Sequence, residues 1–389
     1  MNNARDFENS LAVYVHWPFC RAKCPYCDFN SHVRETIDEE MWLEALCREL
    51  DHYAQLSGPR SIGSIFFGGG TPSLMSARTV EGLIDRIGKN WSLSDSAEIT
   101  LEANPTSVEA EKFRDFAAAG VNRVSLGIQS LRDDDLKALG REHSVAEAKE
   151  AIALAQKYFR RNSFDLIYAR MGQTLSGWER ELREALDLAA DHLSLYQLTM
   201  EKGTPFHALY RKGQLILPDE KISAEMYDLT REVCAAAGLP AYEVSNHAAP
   251  DEESRHNMAY WTYGDYVGVG PGAHGRLTVD GRLHATSQRR KPEFWLGDVG
   301  DKGHATEQDE ILDSLTMAEE MIMMGLRLSR GIALADFECR IGGPLAGYLD
   351  QSRLEALLDQ EYLHMDQAHL RVTAKGAPLL NYLLGELLA

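Results

Sequence analysis

The sequence has no apolar stretch that approaches the roughly 18 residues needed to cross a bilayer, so we expect no membrane span. Its opening run, MNNARDFENS, lacks the apolar segment of a secretory signal peptide. Basic residues are outnumbered, with 40 Lys and Arg against 59 Asp and Glu and a formal net charge of −19. Because affinity for nucleic acid comes mostly from neutralised phosphates, this balance argues against a nucleic-acid partner. We therefore expect a cytoplasmic protein.

Cysteine is also scarce, with six residues in a chain of 389. Three of them cluster as Cys20, Cys24 and Cys27 in the run WPFCRAKCPYCDFN, a C-x3-C-x2-C spacing. An odd number of clustered cysteines in a chain of this length argues against a disulfide framework and indicates a reducing compartment. The other three, which we interpret as packing residues, are Cys47, Cys234 and Cys339.

Three closely spaced thiolates are suited to bind a metal centre. They can ligate three irons of a cubane iron–sulfur cluster and leave the fourth iron open for a substrate. A structural zinc site would need a fourth Cys or His, and His32, five residues after Cys27, keeps a Cys3His zinc site open. The lack of a second cysteine pair favours the cluster over zinc.

Strand-type and helix-type runs alternate through residues 11–237. Six strand–helix units in a row predict a parallel sheet with helices outside and right-handed crossovers. The predicted strands are 11–17, 62–67, 98–102, 123–128, 163–168 and 192–198. The predicted helices are 38–56, 76–90, 107–119, segments up to 158, 177–190 and 219–237.

Polar residues stand at the carboxyl end of every predicted strand. An open doubly wound sheet would concentrate such residues at one switch point, whereas a barrel places them at one end of every strand. We therefore predict an α/β fold with a partial (β/α)6 barrel over residues 1–240. The strand-end groups are Cys20, Cys24, Cys27, the GGGTP run at 68–72, Glu102, Gln129, Asp165, Tyr196, Gln197 and Thr199.

The pattern changes beyond residue 240. Residues 241–306 are rich in Gly, His and aromatics and lack long periodicity, so we interpret them as a connecting region. Residues 307–389 are predicted to form a winged-helix-like α+β domain. With 6 Lys and Arg against 14 Asp and Glu, this domain is expected to contact a partner or cover the site rather than to bind DNA. Its predicted elements are helices over 307–328, 332–342, 351–361 and 374–388 and a hairpin over 363–372.

Several motifs in order carry a family resemblance. The cysteine spacing, with Tyr26 before the last Cys and GGGTP after the next strand, resembles the radical S-adenosylmethionine superfamily. More narrowly, the chain resembles the oxygen-independent coproporphyrinogen oxidase family from about residue 12 to residue 385. The motifs are YVHWPFCRAKCPYC, FFGGGTPS, LEANP, SLGIQS, LGREHS and DLIY.

Within that family, three features resemble the haem chaperone branch, the HemW type, rather than the oxidases. The oxidase motif continues to a fourth Cys, where this chain has Phe29. Only 19 residues precede Cys20, whereas the oxidases have a long N-terminal extension. The third feature is the HNxxYW motif of His256, Asn257, Tyr260 and Trp261.

The resemblance implies a 4Fe–4S cluster on the three cysteines and S-adenosylmethionine on the open iron. The glycines of GGGTP would let the backbone grip a small zwitterion with freed N–H and C=O groups, unless they serve only as a tight turn. Glu102 would accept from the ammonium or ribose, and Arg141 would pair with the methionine carboxylate. The implied contacts are Tyr14, Tyr26, Gly69, Gly70, Thr71, Glu102, Gln129, Arg141, Asp165 and Thr199.

One segment departs from the family pattern. After DLIY the family usually reads Gly-Leu-Pro-Gly-Gln-Thr, whereas this chain reads ARMGQT over 169–174. The carboxylate of Asp165 is retained, and we expect the loop after it to be shaped differently.

The resemblance also implies a haem site at the HNxxYW motif. A neutral imidazole is a common axial ligand of haem iron, and His256 is the candidate, with His274 in GVGPGAHG as its competitor. Tyr260 and Trp261 would supply an aromatic wall for the porphyrin.

The first functional hypothesis is therefore a haem chaperone that carries a 4Fe–4S cluster and S-adenosylmethionine. It would pass haem to acceptor proteins, respiratory ones included. The final helix could contact a partner protein or a membrane surface, and the sequence does not choose between them. The alternative is an oxidase-like radical enzyme that acts on a tetrapyrrole. A purely structural cluster is the third hypothesis, and the ordered polar groups at the strand ends argue against it.

Overall fold

The computed structural model describes residues 9–388. Residues 1–8 lie outside the described residues. They include most of the MNNARDFENS run, whose composition led us to expect no signal peptide. Within residues 9–388, no helix combines the length and the apolar character that a membrane crossing requires.

All six predicted strands are present in the first half of the chain. The strands there are β1 (Ser10–Trp17), β2 (Phe19–Cys20), β3 (His32–Val33), β4 (Ser61–Gly69), β5 (Ser92–Ala103), β6 (Arg123–Gln129), β7 (Arg161–Tyr168) and β8 (His192–Gln197). The helices are α1 (Glu39–Ser57), α2 (Ala77–Asn90), α3 (Ser107–Ala110), α4 (Phe113–Ala118), α5 (Asp133–Ala138), α6 (Val145–Tyr158), α7 (Leu175–Leu188), α8 (Pro205–Arg211) and α9 (Glu220–Ala236).

The single helix predicted over 107–119 is wrong, because the segment forms two short helices, α3 and α4. At the break, Lys112 Nζ donates to the backbone oxygen of Ser73 at 3.1 Å. The carboxylate of Glu109 accepts from the backbone N of Asn104 at 3.1 Å. The contact with the distant loop at Ser73 and the local one with Asn104 together override the helix propensity of the segment.

The second half of the chain contains more strands than the sequence predicts. The strands are β9 (Asn246–Ala248), β10 (Tyr266–Val269), β11 (His274–Val279), β12 (Arg282–Gln288), β13 (Thr306–Ile311), β14 (Ile332–Ala333), β15 (Leu363–Met365) and β16 (His369–Val372). The helices are α10 (Arg255–Trp261), α11 (Pro292–Lys302), α12 (Ser314–Gly325), α13 (Leu334–Ile341), α14 (Gln351–Asp359) and α15 (Leu380–Leu387).

The predicted C-terminal hairpin is confirmed by β15 and β16, which pair antiparallel. The predicted start of a helix at 307 is wrong, because 306–311 forms β13 along β12. The helix α12 begins only after Asp313, whose carboxylate accepts from the backbone N of Thr316 at 2.8 Å. The small sheet has the order β14-β16-β15, and the winged-helix description of this region stays a prediction.

Most strands belong to one sheet of order β13-β12-β11-β10-β1-β4-β5-β6-β7-β8-β9. The run from β10 through β1 to β8 is parallel, and the strands at both ends are antiparallel. Because β13 and β9 are separate edges, the ring of strands is not closed. The chain is therefore an α/β protein with a partial barrel, as predicted.

A buried carboxylate joins the 241–306 segment to the barrel. Glu49 on α1 accepts from the backbone N of Gly270 at 2.7 Å and of Ala305 at 2.8 Å. The indole N–H of Trp295 donates to the same carboxylate at 3.0 Å. These bonds hold the loop that leads into β11 against α1.

Candidate functional site

The three clustered cysteines lie in one loop. Cys20 ends β2, and the pairing of β2 with β3 closes the loop that carries Cys24 and Cys27. Within it, the backbone N of Cys27 donates to the oxygen of Cys24 at 3.1 Å. All three thiols are free and partly exposed. They line one cavity of about 1110 Å³, which we call the cysteine cavity.

The donor set fits a cluster better than a single ion. Within residues 9–388, no three His, Cys, Asp or Glu side chains come close enough together to hold one metal ion. His32, the fourth ligand of the zinc alternative, has its Nε2 atom 3.3 Å from Asn30 Oδ1. An iron–sulfur cluster takes its thiolates on different irons, so the sulfurs need not converge on one point.

Two polar side chains reach the thiols from the opposite wall. Thr71 Oγ1 donates to Cys20 Sγ, and Arg141 Nη1 donates to Cys24 Sγ, each at 3.5 Å. Burial raises the pKa of the Cys20 and Cys27 thiols above its ordinary value. Binding of a metal therefore has to displace thiol protons.

The glycines after β4 allow the strand end to pack against the cysteine loop. A Cβ atom on Gly70 would lie 2.6 Å from the backbone oxygen of Phe19, and Gly69 has a φ of 112°. The backbone N of Gly70 donates to Trp17, and that of Thr71 donates to Phe19. The N–H groups of Gly70 and Thr71 are therefore not free for a ligand, because the backbone of β1 and β2 already accepts from them. The expected contribution of the glycine C=O groups stays a prediction.

Two carboxyl groups at strand ends face the cysteine cavity. Burial, with a smaller effect of nearby Asp165, raises the pKa of Glu102 to about 8. Burial also raises the pKa of Asp165 to about 6, although hydrogen bonds from Ser194 and Ser125 lower it in part. Two acids held partly unionised in this way can ionise against a cationic group of a ligand.

Arg141 connects the cysteine loop with two strand ends. Its Nη2 atom donates to Asn104 Oδ1 at 2.6 Å and to the backbone oxygen of Gly127 at 2.8 Å. Its Nε atom is buried and has no hydrogen-bond partner among the described residues. The side chain as a whole lines the cysteine cavity, so its positive charge suits an anionic ligand group there.

The cysteine cavity brings together most residues predicted to contact S-adenosylmethionine. Tyr14 is the exception, since its hydroxyl lies 3.0 Å from His16 Nδ1 and it lines a neighbouring cavity. Asn104, which stands in the LEANP motif, also lines the cavity but was not predicted as a contact. The segment 377–382 lines it too, and it belongs to the C-terminal domain that was expected to contact a partner or cover the site. The predicted residues that line the cysteine cavity are Tyr26, Gly69, Gly70, Thr71, Glu102, Gln129, Arg141, Asp165 and Thr199.

The neighbouring cavity has a volume of about 510 Å³, and we call it the aromatic cavity. Tyr260 and Trp261 of the HNxxYW motif line it, and so does His274. It shares the wall residues Phe29, Gly69 and Glu102 with the cysteine cavity. Two of the residues that sequence analysis had assigned to haem therefore lie directly beside the cysteine site.

The other two residues of the motif point elsewhere. The ring of His256 is buried, with Nδ1 2.9 Å from Ser64 Oγ and Nε2 2.7 Å from the hydroxyl of Tyr260. Burial lowers the pKa of His256 to about 3. Asn257 Nδ2 donates to the hydroxyl of Tyr242 at 3.2 Å. His256 and Asn257 line neither cavity, so the structure does not bring them to the predicted haem site.

Comparisons with known proteins agree with this architecture. The family model "Radical SAM superfamily" matches residues 14–185, and the "HemN C-terminal domain" matches residues 312–379. The solved structure of coproporphyrinogen III oxidase (HemN) from Escherichia coli, a radical SAM enzyme, superposes with a TM-score of 0.82. The overlap covers 98% of this chain and 91% of that one at 22% sequence identity, so it supports the fold alone.

Relatives at higher identity span nearly the whole chain. The mitochondrial radical S-adenosyl methionine domain-containing protein 1 of Bos taurus is 40% identical over 97% of this chain and 87% of its own length. The heme chaperone HemW of Escherichia coli (strain K12) is 36% identical over 97% of this chain and 98% of its own length. The chain therefore belongs to the radical SAM superfamily and, within it, to the HemW-type branch of the oxygen-independent coproporphyrinogen oxidase family.

Proposed function

We propose that this protein is a haem chaperone that binds a 4Fe–4S cluster, S-adenosylmethionine and haem and passes haem to acceptor proteins. The observation that carries the proposal is the aromatic cavity, which adjoins the cysteine cavity through a shared wall. Such a pair of cavities suits a protein that holds a flat aromatic cargo beside a metal centre. The name of the relatives, heme chaperone, supports the same function.

The cysteine cavity would hold the resident cofactors. Cys20, Cys24 and Cys27 would ligate the cluster, which when bound supplies an iron with an open coordination position and one-electron chemistry. Glu102 would orient the cationic part of S-adenosylmethionine, and the guanidinium of Arg141 would pair with its carboxylate.

Phe29 distinguishes a carrier from an oxidase at this site. It stands where the oxidase motif has its last cysteine, and 59% of its surface is exposed at the wall shared by the two cavities. A phenyl ring there adds apolar surface toward a porphyrin and removes a thiolate from the cysteine loop. We propose a cytoplasmic location, and acceptors that include respiratory haem proteins.

The test is anaerobic reconstitution of the full chain with iron and sulfide, followed by three parallel assays. Haemin titration by absorbance measures uptake, and transfer to an apo b-type cytochrome measures release. Coproporphyrinogen III with a reductant and S-adenosylmethionine measures oxidase turnover. We expect stoichiometric haem uptake, transfer that requires the protein, and no decarboxylated product. Sustained turnover, or failure to bind haemin, would contradict the proposal and favour the tetrapyrrole enzyme or the structural cluster.

A further inference from the structure

We propose that His274, and not His256, is the axial ligand of haem in this protein, and that Arg290 pairs with a haem propionate. The inference rests on the proposed function, because it names the residues that would hold the haem. It places the haem in the aromatic cavity, next to the cysteine cavity.

The aromatic cavity has the size and lining of a cofactor site. Its volume of about 510 Å³ falls inside the range of about 300–1,000 Å³ found for small-molecule pockets. Tyr260 and Tyr266, whose ring centroids are 4.5 Å apart, lie in its wall with Trp261. The guanidinium of Arg327 lies 4.6 Å from the centre of the Trp261 ring, so the indole is held in place from one side. Held aromatic rings offer a flat apolar surface to a porphyrin.

The two histidines differ in whether a ring nitrogen is available. Both ring nitrogens of His256 are engaged, with Ser64 and Tyr260, and the side chain is buried. His274 is exposed at the start of β11, and its ring has no hydrogen-bond partner among residues 9–388. A ring nitrogen that no protein group engages is available to bind iron.

The charges around the cavity leave one cation for a carboxylate ligand. Arg276 is engaged by Glu320 through two contacts, of 2.9 Å and 2.7 Å. Arg290, in the same wall, is exposed and makes no ion pair among the described residues. Arg290 and His274 both line the aromatic cavity. A haem ligated by His274 would thus have a free guanidinium for a propionate.

An exposed ligand also suits a carrier. Haem has to leave again, and a single histidine at the mouth of a cavity holds iron without enclosing it. A histidine buried like His256 could bind iron only after it lost two hydrogen bonds and the packing around its ring.

The experiment is haemin titration of the full-length, reconstituted protein and its His274→Ala variant, followed by the Soret band. We expect the affinity to fall about 10-fold or more, since even outer-shell partners of metal ligands change affinity by about 10- to 100-fold. Added imidazole should restore the histidine-ligated spectrum. His364→Ala, an exposed histidine on β15 outside both cavities, is the matched control and should bind like the wild type.

The outcomes separate this inference from the proposed function. If wild-type protein binds haemin and His274→Ala keeps its affinity and spectrum, or loses binding without imidazole rescue, His274 is not the ligand and the chaperone function stands. If the wild type binds no haemin, the proposed function fails and this inference with it. A changed Soret spectrum in His256→Ala, with far-UV circular dichroism unchanged, would assign the iron to His256 instead.

The propionate contact has a test of its own. Arg290→Ala should weaken haemin binding about two- to fivefold, the effect expected of an exposed ion pair. The same variant should bind haemin dimethyl ester as well as the wild type does, because the ester has no carboxylate. Arg282→Ala removes an exposed cation that lies outside the cavity and should leave both affinities unchanged. Equal weakening of haemin and its ester would refute the pairing.

Discussion

The loop that departs from the family pattern after β7 contains a buried ion network. Arg170 Nη2 lies 2.6 Å from Asp135 Oδ2 and 2.5 Å from Glu181 Oε2. Both Arg170 and Glu181 are 2% exposed, so their charges are largely removed from water. The other carboxylate oxygen of Glu181 accepts from Ser130 Oγ at 2.7 Å and from the backbone N of Leu131 at 2.8 Å. The network therefore holds α7 against the ends of β6 and β7, which carry Gln129 and Asp165.

Replacement of Arg170 by Met should destabilise the protein strongly. The methionine fills much of the volume, but it leaves the carboxylate of Glu181 buried without its cation. Removal of one partner of a buried pair lowers the free energy of unfolding by about 3–5 kcal/mol. In the double variant Arg170→Met/Glu181→Gln, the amide oxygen can still accept from Ser130 and Leu131, and neither buried charge remains. The charge of Asp135 persists, but its side chain is 32% exposed and stays in contact with water. We expect the double variant to recover about 1–3 kcal/mol of that loss.

Urea unfolding at pH 7, followed by far-UV circular dichroism and tryptophan fluorescence together, measures both values. Arg183→Met is the matched control, because Arg183 lies on α7, the helix that carries Glu181, and pairs with Glu179 while 62% exposed. Its loss should stay below about 0.5 kcal/mol. The reasoning is refuted if Arg170→Met loses no more than Arg183→Met does, or if adding Glu181→Gln lowers the stability further.

Three other predictions concern the cysteine site and α1. Cys24→Ala should abolish the absorbance of the reconstituted cluster, whereas Cys339→Ala, an exposed free cysteine, should retain it; equal absorbance in both would contradict the cluster assignment. Gly70→Ala should lower iron incorporation several-fold, because its Cβ would lie 2.6 Å from the backbone oxygen of Phe19, next to Cys20. Gly88→Ala, where a Cβ meets open space, is the control and should incorporate iron normally. Iron analysis of the reconstituted proteins measures both. Burial raises the pKa of Glu49 from 4.5 to about 7, so ionisation of Glu49 disfavours the folded state. Measured by urea titration relative to Glu49→Gln, the unfolding free energy of the wild type should therefore fall by up to about 3 kcal/mol as pH rises from 4.5 to 7. A difference between the two proteins that does not change with pH would refute this.

Local sequence patterns were sufficient to predict most strands of the barrel and the cysteines proposed as metal ligands. The six strands were predicted because each reads as a short apolar run bounded by turn residues, and this signal lies within a few residues of the chain. The strands β10 to β13 were missed because their residues do not form the apolar runs that identify the barrel strands; β13, for example, is the polar run TEQDEI. They join the sheet by successive pairing outward from β1, so their place in it depends on β10 meeting a strand about 250 residues earlier in the chain. The Asp280–Gly281 turn between β11 and β12 is a local hairpin signal that was overlooked.

The sequence by itself determined the cysteine spacing, the order of polar groups at the strand ends and the family. Only the tertiary structure decided which of those groups are available. His256 and Tyr260 are one helical turn apart on α10, yet the hydroxyl of Ser64, 192 residues away, joins Tyr260 in engaging the His256 ring. In the same way, the backbone N–H groups of Gly70 and Thr71 donate to the backbone oxygens of Trp17 and Phe19 and are not free for a ligand. The physical reason is that residue type sets what a side chain can donate or accept, whereas burial and the partners that long-range packing supplies decide whether it remains free for a ligand.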